Sequence, residues 1–348
     1  MTPKAYRRRL DIKNGRVDLS HGSGGRAMAQ LITDIFHEAL DNAWLRRGND
    51  QAAFDVAQGR MVMTTDAYVV SPLFFPGGDI GSLAVHGTIN DIGMGGAHPL
   101  YLSASFIIEE GFPLADLKRI ADSMGAAARA AGVPVVTGDT KVVERGKADG
   151  VFISTTGIGA VPGGLDLSAD KAQPGDRVIL SGTLGDHGVA VMSKRQNLAF
   201  DTDLVSDSAP LHGLVAAMVE AGGQDLRVMR DPTRGGLAAT LNELADQSDI
   251  GFRLEENAIP VRPEVAAACE LLGLDPLYVA NEGKLVAVVA PKAADVVLAA
   301  MRAHPLGRDA AVIGEAIEDD HHFVQMTTGF GGGRMVDWLS GEQLPRIC

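Results

Sequence analysis

A two-domain chain that mixes helices and strands is predicted by three observations. The length is 348 residues, and at about 150 residues per domain that gives two domains, each able to bury a core. Strand-like runs alternate with longer helix-like runs along the whole sequence. A break rich in proline and glycine, Val161–Gly175, divides that pattern into halves.

In the first half, Arg60–Thr65 and Leu100–Glu109 read as strands, Pro113–Ala131 as a helix stopped at Gly132, and Val133–Thr137 and Gly150–Gly159 as strands. In the second half, Arg177–Ser181, Lys284–Val289 and Ala311–Glu315 read as strands. Helices are expected at Gly185–Arg195, Ala209–Ala221, Arg234–Gln247, Pro263–Leu272 and Lys292–Arg302, with Thr233 as the N-cap of the third. The pattern divides into a segment 1–45, domains 46–162 and 163–328, and a glycine-hinged arm, 329–348, expected to be mobile.

Composition narrows the function. Lysine plus arginine is 31 and aspartate plus glutamate is 44, a net charge of −13. Nucleic acid and anionic membranes call for a basic face, so neither is an expected partner. No apolar run approaches the roughly 20 residues of a membrane span. The basic stretch Met1–Arg9 has no apolar run after it, so no secretory signal is expected. Two cysteines, Cys269 and Cys348, are too few for a disulfide framework or a cysteine-rich zinc site. A reduced, cytoplasmic protein is expected.

Familiar motifs are missing. There is no P-loop, no His-Glu-x-x-His and no Gly-x-Ser-x-Gly elbow. Gly157–Gly163 does not open a helix and is rejected as a dinucleotide loop. Instead, three aspartates follow apolar runs: Asp66, Asp91 beside Asn90, and Asp139 after Thr137-Gly138. They are expected in loops at strand ends, where carboxylates can converge on Mg²⁺ and so reach a polyphosphate; each could equally be a turn residue or a helix cap. His21-Gly-Ser23-Gly24-Gly25-Arg26 precedes an apolar helix, Met28–Leu40, and suits an anion or a simple turn. Met229–Gly236 offers a hydroxyl and two guanidinium groups at a helix start. Cys348 is the last residue of the sequence. Its own carboxylate should raise the thiol pKa above the usual ~8.5, so it needs help to act as a nucleophile. Cys269, among alanines and leucines, reads as core.

Taken together, these residues resemble the carbamoyl dehydratase family of hydrogenase maturation factors, HypE, within the aminoimidazole ribonucleotide synthetase superfamily. The resemblance is carried by His21–Arg26, Thr64–Gly96, Val136–Val143, Asp231–Leu237, Asn281–Gly283 and the terminal Pro345-Arg-Ile-Cys348. It covers nearly the whole chain, and the terminal motif separates this family from its superfamily.

The resemblance implies an α+β fold whose N-terminal sheet lies at a homodimer contact and whose C-terminal sheet is covered by helices. It implies that Cys348 receives a carbamoyl group from the carbamoyltransferase HypF, that ATP drives its dehydration to a thiocyanate, and that the cyano group passes to iron on a HypC–HypD complex for [NiFe]-hydrogenase. Asp66, Asp91 and Asp139 would hold Mg²⁺–ATP. Asn90, Thr137, Gly138, Arg234 and the loop Ser23-Gly24-Gly25 would lie near the nucleotide. Glu282 and Lys141 would lie near the modified cysteine, with Glu282 the better base. Ile92–His98 carries more glycine than the family's usual form, so a looser turn is expected there. Two other readings remain: a small-molecule kinase of the same superfamily, which needs no terminal thiol, and a non-catalytic scaffold that presents its tail.

Overall fold

The computed structural model describes residues 10–23, 26–47, 51–55, 59–196, 204–338 and 346–348. The chain begins with α1 (Arg26–Leu31), which continues through a π-helical stretch, Ile32–His37, into α2 (Glu38–Leu40). Then come β1 (Met61–Tyr68), the short hairpin β2 (Phe74–Phe75) and β3 (Gly78–Asp79), α3 (Ile80–Met94), β4 (His98–Glu109), α4 (Leu114–Ala131), β5 (Val135–Val143) and β6 (Val151–Ala160). The second half runs β7 (Arg177–Leu180), α5 (Asp186–Arg195), α6 (His212–Gly222), β8 (Leu226–Arg230), α7 (Gly236–Ser248), β9 (Gly251–Glu255) and α8 (Pro263–Leu272). It ends with β10 (Val286–Val289), α9 (Pro291–Ala303), β11 (Ala311–Ile317), β12 (Val324–Thr327) and β13 (Gly333–Met335).

The N-terminal sheet has the order β1-β6-β4-β5, with only β4 and β5 parallel. The parallel step needs a crossover, which α4 supplies. Helices α3 and α4 pack together, and Ile80, Leu83, Ile89, Leu117, Ile120 and Met124 bury their faces in one core with Leu102 and Ile108 of the sheet. The other face is open: Met63 is 74% and Ile107 43% exposed.

The C-terminal sheet has seven strands, β13-β12-β9-β11-β7-β10-β8. Leu237, Leu241 and Leu244 of α7 share one apolar cluster with it, while α6 and α9 join another through Leu214, Met218 and Val297. The two clusters divide its central strands between them. That explains why β10 reads as the unbroken apolar run Val-Ala-Val-Val, buried throughout.

Several expectations are corrected. Asp66 lies within β1 and Asp139 within β5, not in loops beyond them, while Asp91 lies on α3. The helix over 80–94 went unread because its glycines mask a helical period. Its start is nonetheless a capping box, with the Asp79 carboxylate accepting from the N–H groups of Gly81 and Ser82. The turn after α3 is tight, not loose: Gly96 has φ +69°, and a Cβ there would lie 2.3 Å from the Leu165 side chain. Thr233 is not the N-cap of α7; Gly235, at φ +76°, takes that place. Finally, the arm is anchored where it is described. β13 pairs with β12, and residues 346–348 dock against the first domain.

Candidate active site

A cavity of about 520 Å³ lies between β1 and α3 on one side and segments 230–234 and 282 on the other, and Cys348 enters it. Strand alternation builds the first wall. Thr64, Asp66 and Tyr68 turn toward α3, while Met63, Thr65 and Ala67 are exposed. Asp66 accepts from the Ala67 N–H at 2.9 Å. The Thr64 hydroxyl donates to Asp91 at 2.7 Å. Burial raises the Asp91 carboxyl above the ordinary range, opposed by that hydrogen bond and reinforced by the charge of Asp66.

The second wall starts where β8 ends. Arg230 donates to Glu243 at 2.6 Å, and Asp231, Thr233 and Arg234 follow along the cavity. The chain then turns through Gly235 and Gly236 into α7, where a Cβ on Gly236 would lie 2.5 Å from the Leu277 carbonyl oxygen. Burial and the charges of Asp91 and Asp66 push the Asp231 carboxyl up to about 7.

Glu282 sits on a clamped segment. Its N–H donates to Asp207 at 3.0 Å, and its carbonyl accepts from the Asn90 amide at 3.0 Å. Asn281 is fixed by Gly185, Pro232 and Val279. Lys284 reaches Asp207 at 3.1 Å and Asp186 at 3.9 Å. Thus held, the Glu282 carboxyl is buried, and its Oε1 has no hydrogen-bond partner among the described residues. Burial, then the charges of Asp231 and Asp207, raise its pKa well above the carboxylate range.

Cys348 completes the cavity. Val69 and Ser71 donate N–H groups to a carboxylate oxygen of Cys348 and the carbonyl of Arg346, each at 3.1 Å, so the tail runs antiparallel to 69–71. Ile347, 3% exposed, is buried in the first-domain core. Burial, then the charge of Glu282, raises the docked thiol's pKa far above its usual value. Docking therefore favours the thiol over the thiolate.

The structure thus brings Asp66, Asp91, Arg234, Glu282 and Cys348 together. Asn90 is adjacent but buried; both its amide atoms hold segments 209–211 and 282 rather than face the cavity. Thr137, Gly138, Asp139 and Lys141 lie elsewhere, on β5 at the opposite edge of the sheet, where Lys141 is 3.9 Å from Asp139. Three strand spacings separate β1 from β5, about 14 Å. Ser23 ends the turn Leu19–Gly22, which also packs on β5, while Gly24 and Gly25 lie outside the described residues. Among the described residues, no three His, Cys, Asp or Glu side chains are placed to share a metal ion. Asp231 and Thr64 were missed as cavity residues. Asp231 was readable only as the acidic neighbour of Arg230 and Arg234, and Thr64 only through its alternation with Asp66.

Comparison with known proteins shows the family. Residues 48–161 match the N-terminal domain, and 173–327 the C-terminal domain, of AIR synthase related proteins. The carbamoyl dehydratase HypE of Bradyrhizobium diazoefficiens is 79% identical over 345 residues, covering 99% of this chain and all of that protein. The chain belongs to the HypE family of carbamoyl dehydratases. HypE of Escherichia coli is 49% identical over 337 residues, 95% of this chain and 99% of that one. A crystal structure of HypE in complex with ATP superposes with TM-score 0.91 at 51% identity, covering 95% of this chain and 99% of that one. A HypE–HypF complex gives TM-score 0.78 at 49% identity, covering 89% and 99%.

Proposed function

We propose that this HypE-family chain uses ATP to dehydrate a carbamoyl group on Cys348 to a thiocyanate, the source of a cyanide ligand for the iron of [NiFe]-hydrogenase. HypF is the proposed donor of the carbamoyl group and a HypC–HypD complex the acceptor of the cyano group. One observation carries the reading. The last sulfur of the chain lies in the same cavity as Asp66, Asp91, Arg234 and the proton-avid Glu282.

The chemistry asks for that set. An amide oxygen leaves poorly. Its attack on the γ-phosphate of ATP forms an O–P bond, releases ADP and makes the oxygen part of a phosphate ester. Loss of two N–H protons and of inorganic phosphate then leaves S–C≡N. Glu282 is the proposed base: it lines the cavity beside Cys348, and burial and neighbouring carboxylates raise its basicity. Arg234 faces the charge that develops on the phosphates. Clamping of Glu282 by Asp207 and Asn90 limits its movement, as a base within reach of a fixed amide requires.

Mg²⁺ fits the donor set. Asp66 and Asp91 offer hard oxygens; burial, and after it the charges of neighbouring carboxylates, raise Asp91 and Asp231, and a cation would favour their charged forms. Mg²⁺ usually takes one or two protein carboxylates, the rest being waters and phosphates. It would shield the triphosphate against this acidic wall.

The β5 residues enter through a second copy. The open, partly apolar sheet face with Met63 and Ile107 suits a homodimer contact. Across it a partner's β5 would supply Asp139, Thr137, Gly138 and Lys141 to the cavity of the first copy. The test is intact-mass measurement after incubation with ATP, carbamoyl phosphate and HypF. A cyano adduct on Cys348 that requires ATP is expected. Its absence from a carbamoylated, ATP-bound protein would overturn the reading.

A further inference from the structure

The docked tail is held by groups that the dehydration does not use. His187, wholly buried on α5, has a partner on each ring nitrogen. Nε2 is 2.9 Å from the carbonyl oxygen of Ile347, and Nδ1 is 2.8 Å from the hydroxyl of Ser206. A carbonyl can only accept, so Nε2 carries the proton and donates it to Ile347. The Ser206 oxygen accepts from the Ser208 N–H at 3.1 Å and can give its own proton to Nδ1. The neutral ring is thereby fully satisfied, and Phe75 meets it edge-on with centroids 5.5 Å apart. At the other end of the same helix, Arg195 donates to the carbonyls of Arg346 and Ser71, each at 2.7 Å.

The main-chain oxygens of all three residues, two carbonyls and a carboxylate, are thus recognised. Arg346 accepts from Ser71 and Arg195, Ile347 from His187, and Cys348 from Val69. Ile347 is the apolar anchor. We propose that His187 and Arg195, with the Val69–Ser71 edge, form a receptor for the terminal tripeptide that seats the Cys348 sulfur against Glu282 and withdraws it from reagents in solution. Its hydrogen bonds read main-chain oxygens, and its apolar contact reads Ile347. The same slot therefore accepts the tail with a free, carbamoylated or cyanated sulfur. The two residues are positioning residues, and the proposal rests on Cys348 being the carrier.

Alkylation of the full-length protein by iodoacetamide, followed at Cys348 and Cys269 by peptide mass spectrometry, tests this without turnover. His187→Ala should raise the Cys348 rate roughly tenfold or more, because a group protected by docking reacts only through its open state. Cys269, in the core, should stay slow. His187→Gln, which keeps a donor at the same reach, should react nearly as slowly as wild type, and Arg195→Ala should show a smaller increase. In single-turnover dehydration, His187→Ala should be slowed with unchanged nucleotide affinity, and His187→Gln should recover the rate. If His187→Ala also exposes Cys269 it has unfolded, and the half-exposed Arg195 decides. Unchanged Cys348 alkylation in Arg195→Ala and in every folded His187 variant overturns the receptor, even where thiocyanate still forms. A wild-type thiol that is protected yet never becomes thiocyanate would instead overturn the proposed function and leave the receptor standing.

Discussion

The two edges of the N-terminal sheet carry the same local chemistry and face different surroundings. On β1, Asp66 accepts from the N–H of the next residue at 2.9 Å; on β5, Asp139 does the same at 2.8 Å. Both lie in Thr- and Val-containing strands. Yet β1 is faced by Arg230–Arg234, Glu282 and the docked tail, whereas Asp139 is exposed beside Lys141. A carboxylate on a strand becomes part of a reaction site through what stands opposite it. Opposite the β5 edge the described residues place Ile32, Phe36 and His37 rather than an arginine, Glu282 or a thiol, which is why a second copy is proposed to supply the match.

The largest effect should come from the group that enters the β1-side cavity. Cys348→Ala should abolish thiocyanate formation and leave nucleotide binding intact; protein-bound thiocyanate in that variant's mass spectrum would contradict its role as carrier. Next, Glu282→Gln should slow single-turnover dehydration by about 10²–10⁴, the usual worth of general base catalysis, with little change in ATP affinity by calorimetry. Asp91→Asn should weaken Mg²⁺–ATP binding about tenfold, or ~1.4 kcal/mol; wild-type affinity would remove it from the cation site.

Mixing probes the two edges directly. Asp66→Asn and Asp139→Asn proteins should each be inactive, while their re-assorted mixture should regain about a quarter of wild-type turnover. Half the dimers would be mixed, with one intact site in two. No recovery would mean that the edges do not meet across a dimer.

The smallest effect is on stability. The Asp231 carboxyl, at about 7 in the fold, binds its proton more tightly than in the unfolded chain, where a carboxyl titrates near ~4. Its contribution is full below ~4 and is lost as pH rises through about 7. Between pH 6 and 8 the unliganded protein should lose on the order of 1 kcal/mol, roughly 2 °C in Tm, and Asp231→Asn should flatten that slope.

Much of this was legible in local pattern. Strands near 60–65 and 133–137, the helix stopped at Gly132 and the singular position of Cys348 follow from neighbours in sequence, although Asp66 and Asp139 lie within those strands rather than in loops beyond them. Helix α3 did not, because glycine at 81 and 87 serves close packing rather than helical propensity. At Gly81 a Cβ would lie 2.3 Å from the Ile120 carbonyl oxygen of α4, a contact that exists only once both helices are placed.

The sequence by itself determined which residues could do chemistry: carboxylates after apolar runs, guanidinium groups at a helix start, and a thiol on the last residue. Only the tertiary structure decided that Asp66 and Asp139 part company, that both amide atoms of Asn90 hold neighbouring segments, and that burial and nearby carboxylates raise the Glu282 carboxyl. The reason is physical. Hydrogen-bonding capacity and charge belong to a residue, but desolvation and the field of other charges come from groups up to two hundred positions away, and those are fixed only when the chain has folded.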